Sequence, residues 1–110
     1  MDEKVTFESL SLQELKKART ERLTATRLLI ARPCFLLDWE ITAKSNDRAI
    51  VSIYDGTSIA GQLMIYVSVP VKQTLPQNYT FPRFFSQGLY IVIAGDTESA
   101  TFHYLPGPVM

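Results

Sequence analysis

The spacing of apolar residues from residue 25 onward predicts a series of short β-strands. Runs rich in Val, Ile, Tyr, Phe and Thr alternate with clusters of Pro, Gly, Asn and Asp, which is the pattern of strands separated by turns. We predict strands at 25–31, 34–43, 49–54, 62–69, 79–84, 88–94 and 99–105, with turns at 32–33, 45–47, 55–61, 75–78, 86–88 and 95–98. About seven strands with no helix between them indicate an all-β fold, an antiparallel β-sandwich or a small barrel.

The alternation of apolar and polar residues predicts which side of each strand is buried. In FLLDWEITAK, Leu37, Trp39 and Ile41 fall on one side and polar residues on the other, as expected for a strand with one face in water. The same rule adds these residues to the predicted core: Val51, Ile53, Leu63, Ile65, Val67, Phe102 and Tyr104.

A second set of apolar residues falls on the opposite side of the predicted strands. Its members are Tyr54, Met64, Tyr66, Tyr90 and Val92. In so small a domain these side chains would leave an apolar patch on the surface, and such patches usually contact other chains. We therefore expect a homo-oligomer, with a trimer as one option, or a lattice subunit rather than a free monomer.

Residues 1–24 have a different composition, being charged and poor in aromatic residues. The stretch SLQELKKARTERL predicts a short helix, in which Ser11 is the N-cap and Glu14 its capping-box partner. Leu12 and Leu15 belong to its thin apolar stripe. We thus divide the chain into an N-terminal arm with a short helix, 1–24, and a β-sandwich domain, 25–110.

Basic side chains are concentrated in the second half of this arm, at Lys16, Lys17, Arg19 and Arg22. They are consistent either with a solvated helix face or with an arm that docks on an acidic neighbouring surface. Together with Leu12 and Leu15 they are candidate contact residues. Because no aromatic residues are interleaved with these charges, stacking on single-stranded bases is not favoured.

Composition and charge narrow the class of protein. A chain of 110 residues, 46% of them apolar, suits one folded domain. Eleven basic and eleven acidic side chains cancel, which argues against specific binding of nucleic acid. The acidic amino terminus does not resemble a secretion signal, and no apolar run reaches the roughly 20 residues that span a bilayer. We expect a soluble protein without a membrane partner, made in a reducing compartment.

The sequence offers little for catalysis, metal binding or cofactor binding. Cys34 is the single cysteine, so neither an internal disulfide nor a cysteine zinc site can form, and we expect it to be a small buried hydrophobe. His103 is the single histidine and is predicted to lie on the surface, with a lone catalytic base as the alternative. Asp38 and Glu40 share a predicted strand face, where a solvated pair is favoured over a cation site or an acid and base pair.

Asp55 and Asp96 both lie beside glycine, in YDGT and AGDT, and are interpreted as turn residues. Phosphate-loop, nucleophile-elbow and zinc-protease motifs are absent from the sequence. We therefore predict no enzymatic activity, no metal and no cofactor.

Three stretches together resemble small structural proteins of tailed bacteriophages: TRLLIARPCFLLDWEITAK, AIVSIYDGTSIAGQLMI and FPRFFSQGLYIVIAGDTESATFHYLPG. The shared features are a strand pair leading to a YDGT turn, a prolyl segment, and GLY followed by a closing hairpin, over residues 24–107. The resemblance implies a virion component without enzymatic activity, assembled in the host cytoplasm. The first role that it implies is a capsid decoration or cement protein that binds the major capsid protein. The second is a neck or tail component that binds other virion proteins.

Two other functions are compatible with the sequence. A carbohydrate-binding β-sandwich would use Tyr54, Tyr66, Tyr90 and Trp39 as stacking platforms, because aromatic residues in a sugar site and in an interface look alike in sequence. An enzyme would depend on His103 with a nucleophile that the sequence does not identify.

Overall fold

The computed structural model describes residues 17–107, which form eight β-strands in two antiparallel sheets. The strands are β1 (Arg19–Leu23), β2 (Arg27–Ile30), β3 (Cys34–Ala43), β4 (Ala49–Asp55), β5 (Gln62–Val69), β6 (Thr74–Phe85), β7 (Leu89–Gly95) and β8 (Thr97–Pro106). The predicted all-β antiparallel sandwich is confirmed, with eight strands rather than seven.

The strand order is that of a jelly roll. The first sheet has the order β1-β8-β3-β6 and the second has the order β2-β7-β4-β5. β1 pairs with β8, β2 with β7, β3 with β6 and β4 with β5, as in one long hairpin wrapped around itself. The pairs β3–β8 and β4–β7 then close the two sheets. Eight strands wrapped in this way define the jelly-roll class of sandwich.

The core lies between the two sheets and is built from the inward side of each strand. Trp39, Ile41, Val51 and Ile53 are buried, as their alternation predicts. The largest fully buried side chains are Tyr104, Phe85, Phe102, Leu36, Ile41, Ile53, Leu89 and Ile91. Since each large apolar side chain contributes about 1.5–3 kcal/mol when it is fully buried, this layer is the main source of stability.

A β-bulge at Leu37 corrects the predicted orientation of that residue. The register of β3 shifts between Leu36 and Asp38 against both of its neighbours. Leu36 is fully buried and Leu37 only partly so. One extra residue reverses the inward and outward alternation, so the core receives Leu36 and Trp39, three positions apart.

A second bulge, at Met64, corrects two more predictions. Ile53 pairs with Ile65 and Tyr54 pairs with Leu63, so Met64 is the extra residue of β5. Met64, predicted to face outward, packs against the core. Leu63, predicted to face inward, is 48% exposed. The bulge exchanges the sides of these two residues because it shifts the alternation by one position.

The last five residues of the predicted helix form the strand β1 instead. Residues 19–23, which end the stretch interpreted as helical, pair with β8, and Leu23 at the end of the strand is buried. Pairing with a long neighbouring strand outweighs the weak helical preference of so short a segment. Lys17 and Ala18 are not helical either, and the rest of the predicted helix, residues 11–16 with Leu12, Leu15 and Lys16, lies outside the described residues.

The predicted turn at 75–78 is part of strand β6. β6 is at the edge of the first sheet, where the missing N–H group of Pro76 does not interrupt the sheet. Proline therefore argues against a central strand, which has neighbours on both sides, but not against an edge strand such as β6.

Candidate functional site

Asp55 connects two loops at one end of the sandwich. It is the last residue of β4, and its carboxylate accepts hydrogen bonds from the β6–β7 turn. The donors are Ser86 N at 3.0 Å, Ser86 Oγ at 3.0 Å, Gln87 N at 2.8 Å and Gly88 N at 3.3 Å. Asp55 therefore accepts hydrogen bonds from a turn that begins 31 residues later in the chain. The local sequence YDGT does not predict this contact.

The ionisation of Asp55 follows from this network. Partial burial by itself raises the pKa of the carboxyl group, but the hydrogen bonds from Gln87, Ser86 and Gly88 outweigh it and hold the pKa below its ordinary value of 3.8. A general acid or base at neutral pH needs a pKa near the working pH. Asp55 instead stays ionised and structural.

Asp96 joins loops in the same way at the opposite end of the sandwich. It lies between β7 and β8, and its Oδ2 accepts a hydrogen bond from Asn46 N at 3.0 Å. Gly95, just before it, has φ of 66°, a left-handed conformation that glycine adopts without strain. Both acids beside glycine are thus contacts between loops.

The outer face of the second sheet is apolar and aromatic. One row, next to the end of the sheet that holds Asp55, crosses all four strands in register: Leu28 on β2, Tyr90 on β7, Tyr54 on β4 and Leu63 on β5. The rings of Tyr54 and Tyr90 are 6.4 Å apart. The next row includes Val92 and Tyr66, on either side of Ser52. We call Leu28, Tyr54, Leu63, Tyr66, Tyr90 and Val92 the apolar outer face.

The apolar outer face is exposed, and its six side chains are all uncharged. Tyr66 is 60% and Leu28 37% exposed, and the other members are half-buried or exposed. Outward positions in the adjoining rows, Ile50 and Ala94, are also uncharged. The first sheet differs in bearing charged or titratable side chains on the outer face of its paired strands, Asp38, Glu40, His103 and Arg22, although its edge strand β6 also exposes Phe81 and Phe84.

The structure brings together four of the eleven predicted contact residues, Tyr54, Tyr66, Tyr90 and Val92, on this one face. Met64 is excluded by its bulge, as described above. Lys17 is exposed just before β1, and Arg19 and Arg22 are exposed on β1, at the edge of the other sheet. The basic residues and the tyrosines therefore do not form a common surface. Sequence reasoning missed Leu28 and Leu63 as members of the face.

Trp39 is not available as a stacking platform. Its side chain is only 5% exposed, and its indole Nε1 donates a hydrogen bond to the hydroxyl of Tyr79 at 3.0 Å. The carbohydrate alternative therefore loses the one tryptophan on which it depended.

His103 and Asp38 form a pair across β8 and β3. The distance from His103 Nδ1 to Asp38 Oδ2 is 3.2 Å, and both side chains are partly exposed. The open groove beside them is lined by Ala18, Leu37, Asp38, Asn78, Tyr79, Pro82 and His103. No serine, threonine or cysteine is among these lining residues, although Thr20 on β1 is the cross-strand neighbour of His103.

Cys34 is fully buried, as expected for a small hydrophobe. Burial, reinforced by the charge of Asp55 and partly offset by Arg32, raises the pKa of its thiol to about 12. The thiolate is the reactive form of cysteine, so we expect this buried side chain to be unreactive in the folded protein.

Within residues 17–107, no group of three or more His, Cys, Asp or Glu side chains is arranged to hold a metal ion. The same residues include no helix that is long and apolar enough to cross a membrane.

Comparison with protein-family models, with curated proteins and with solved structures found no match.

Proposed function

We propose that the protein is a non-enzymatic structural subunit of a bacteriophage virion, a capsid decoration or cement protein. In this role it binds a second copy of itself through the apolar outer face. The observation that carries the proposal is the row of Leu28, Tyr90, Tyr54 and Leu63, which crosses the whole second sheet without a charge.

The absence of charge on the apolar outer face favours a second copy as the occupant. A charged partner surface would lose hydration against these six residues and gain no opposite charge, which is costly. The same face on another copy is apolar, uncharged and bears hydroxyl groups from three tyrosines. It is therefore self-complementary, as a two-fold symmetric contact requires.

The small area of the face limits the affinity of one such contact. Four strands about 4.8 Å apart and five residues of about 3.3 Å each cover roughly 300 Å². A stable interface buries about 800 Å² on each partner. One such contact should therefore be weak in solution and become effective when several contacts act together in an assembly.

The fold and the resemblance support a virion as the assembly. Jelly rolls are frequent among viral capsid domains, although the same fold serves other functions. The resemblance to phage structural proteins implies the major capsid protein as the partner, with the N-terminal arm as the segment that contacts it. By adding contacts to the assembled shell rather than to free subunits, such a protein stabilises the particle.

Virion incorporation can be tested with particles purified from the phage that encodes the chain. We expect the protein in purified particles, at a copy number proportional to that of the major capsid protein. Particles made with Tyr66→Lys should carry fewer copies, whereas Glu40→Lys on the other sheet should leave the number unchanged. Complete absence of the wild-type protein from the particles would contradict the proposal.

A further inference from the structure

The groove at the β3 bulge lies on the outer face of the first sheet, away from the apolar outer face. Its volume is about 350 Å³. Three polar side chains on neighbouring strands form its floor, because His103 on β8 is opposite Asp38, and Asp38 on β3 is opposite Asn78 on β6. Leu37, Tyr79, Pro82 and Ala18 form the apolar part of its lining.

Two irregularities of the first sheet coincide at this groove. β3 has its extra residue at Leu37, and on the facing strand the register passes from Asn78 directly to Arg83, so residues 79–82 are not paired with β3. In a regular sheet the strands would be paired continuously across this position. Bulges of this kind are frequent beside binding sites, where they redirect side chains.

Within residues 17–107, only one hydrogen bond joins the three polar side chains of the groove floor. His103 Nδ1 and Asp38 Oδ2 are paired at 3.2 Å, with 39% and 38% of the two side chains exposed. Among the described residues, His103 Nε2, Asp38 Oδ1 and the Asn78 amide have no hydrogen-bond partner. Donors and an acceptor thus converge within one row of the sheet.

The ring of Tyr79 is held in place beside these groups. Its hydroxyl accepts the hydrogen bond from buried Trp39, and the guanidinium of Arg83 lies 5.7 Å from the ring centroid. A fixed aromatic side chain provides apolar contact at low cost in conformational entropy.

The lining excludes several classes of ligand. A metal ion would need a third donor of the His, Cys, Asp or Glu type, which these residues do not provide. An anion on the floor would contact the carboxylate of Asp38, and the lining itself includes no Lys or Arg side chain to balance that charge, since Arg83 lies on the ring of Tyr79 outside the lining. A purely apolar ligand would bury the polar floor without hydrogen bonds.

We propose that this groove binds a neutral saccharide. Sugar hydroxyl groups would exchange hydrogen bonds with Asp38, Asn78 and His103, while the apolar face of the sugar ring contacts Leu37, Tyr79 and Pro82. A volume of about 350 Å³ is at the small end of the range for ligand pockets, which suits one sugar unit. The site is independent of the apolar outer face and of the proposed virion role.

The inference can be tested by NMR on the full-length, ¹⁵N-labelled protein. The probes are glucose, galactose, mannose and N-acetylglucosamine, each added to about 100 mM. At least one of them should cause saturable shifts at Asp38, Asn78, Tyr79 and His103, with a dissociation constant on the order of 1–10 mM, the weak affinity typical of a single small contact. Saturable shifts confined to other parts of the chain, or none with any of the four sugars, would overturn the proposal.

Two variants locate the site more sharply. Asn78→Ala should weaken binding about tenfold, which corresponds to the loss of about 1.4 kcal/mol, and Glu40→Gln, one row away on the same face, should leave binding unchanged. Glucuronate should bind more weakly than glucose, and Asp38→Asn should reduce that difference. Equal affinity for wild type, Asn78→Ala and Glu40→Gln would contradict the assignment.

Discussion

Replacement of Asp55 by asparagine tests the contact between the β4 end and the β6–β7 turn. The carboxylate accepts four hydrogen bonds from three consecutive residues, Ser86, Gln87 and Gly88, at 2.8–3.3 Å. A hydrogen bond to a charged group contributes about 1.5–3 kcal/mol, and bonds that share one acceptor group are not additive. Asparagine keeps one accepting oxygen but turns an amide toward backbone N–H groups, so we expect a loss of about 2–3 kcal/mol.

The assay is urea unfolding of the wild type and Asp55→Asn, with thermal unfolding as a second measurement. For a domain of this size, 2–3 kcal/mol corresponds to a decrease in Tm of roughly 8–15 °C. Asp47→Asn is the matched control, because Asp47 is exposed and accepts one hydrogen bond, from the adjacent Arg48 N. The control should change the free energy of unfolding by less than about 0.5 kcal/mol.

The pH dependence gives the result that would refute this reasoning. The pKa of Asp55 is lowered in the folded protein from 3.8, so on acidification the unfolded chain takes up the proton first. The stabilisation from Asp55 is therefore complete above about pH 5 and decreases as the pH falls below about 4. The stability difference between wild type and Asp55→Asn should shrink over that lower range. A difference below about 0.5 kcal/mol at pH 7, or one that does not change on acidification, would show that the network does not stabilise the fold.

Two further predictions concern the same end of the sandwich. Gly88→Ala should destabilise the protein by at least about 2 kcal/mol, because a Cβ atom there would lie 2.7 Å from the carbonyl oxygens of Gly56 and Ile30; calorimetry giving an unchanged Tm would contradict this close approach. The Cys34 thiol should not react with a thiol reagent such as DTNB in the native protein at pH 8, because its pKa is raised to about 12. It should react at once in 6 M guanidinium chloride, and rapid reaction of the native protein would contradict its burial.

The sequence predicts the positions of most strands of this protein well, but it does not predict the β-bulges within them. β3 and β5 begin and end at the predicted residues because their alternation is clear and turns flank them. Leu37, Leu63 and Met64 were assigned to the wrong sides, since a bulge is a property of pairing with a neighbouring strand and not of the strand alone. β1 was missed for a related reason, as only its pairing with β8 makes RTERL a strand.

For the candidate surfaces too, features of a single strand could be predicted, whereas features that depend on several strands could not. Tyr54, Tyr66, Tyr90 and Val92 were found from their outward positions, because the alternation of their strands is preserved there. The groove could not be predicted, since it depends on three strands that are distant in sequence and meet at His103, Asp38 and Asn78. The partner of Asp55 was also hidden, because it is a turn more than 30 residues away.

In the proposed role, the apolar outer face joins copies of this chain. Sedimentation velocity from about 5 µM to 1 mM measures it directly, since an interface well below the usual 800 Å² per partner should associate only weakly. We expect concentration-dependent association of the wild type, loss of it in Tyr66→Lys and Leu63→Lys, and no change in Glu40→Lys on the opposite sheet. A wild-type protein that remains monomeric at 1 mM, or that associates equally well with lysine at Tyr66 and Leu63, would contradict the claim.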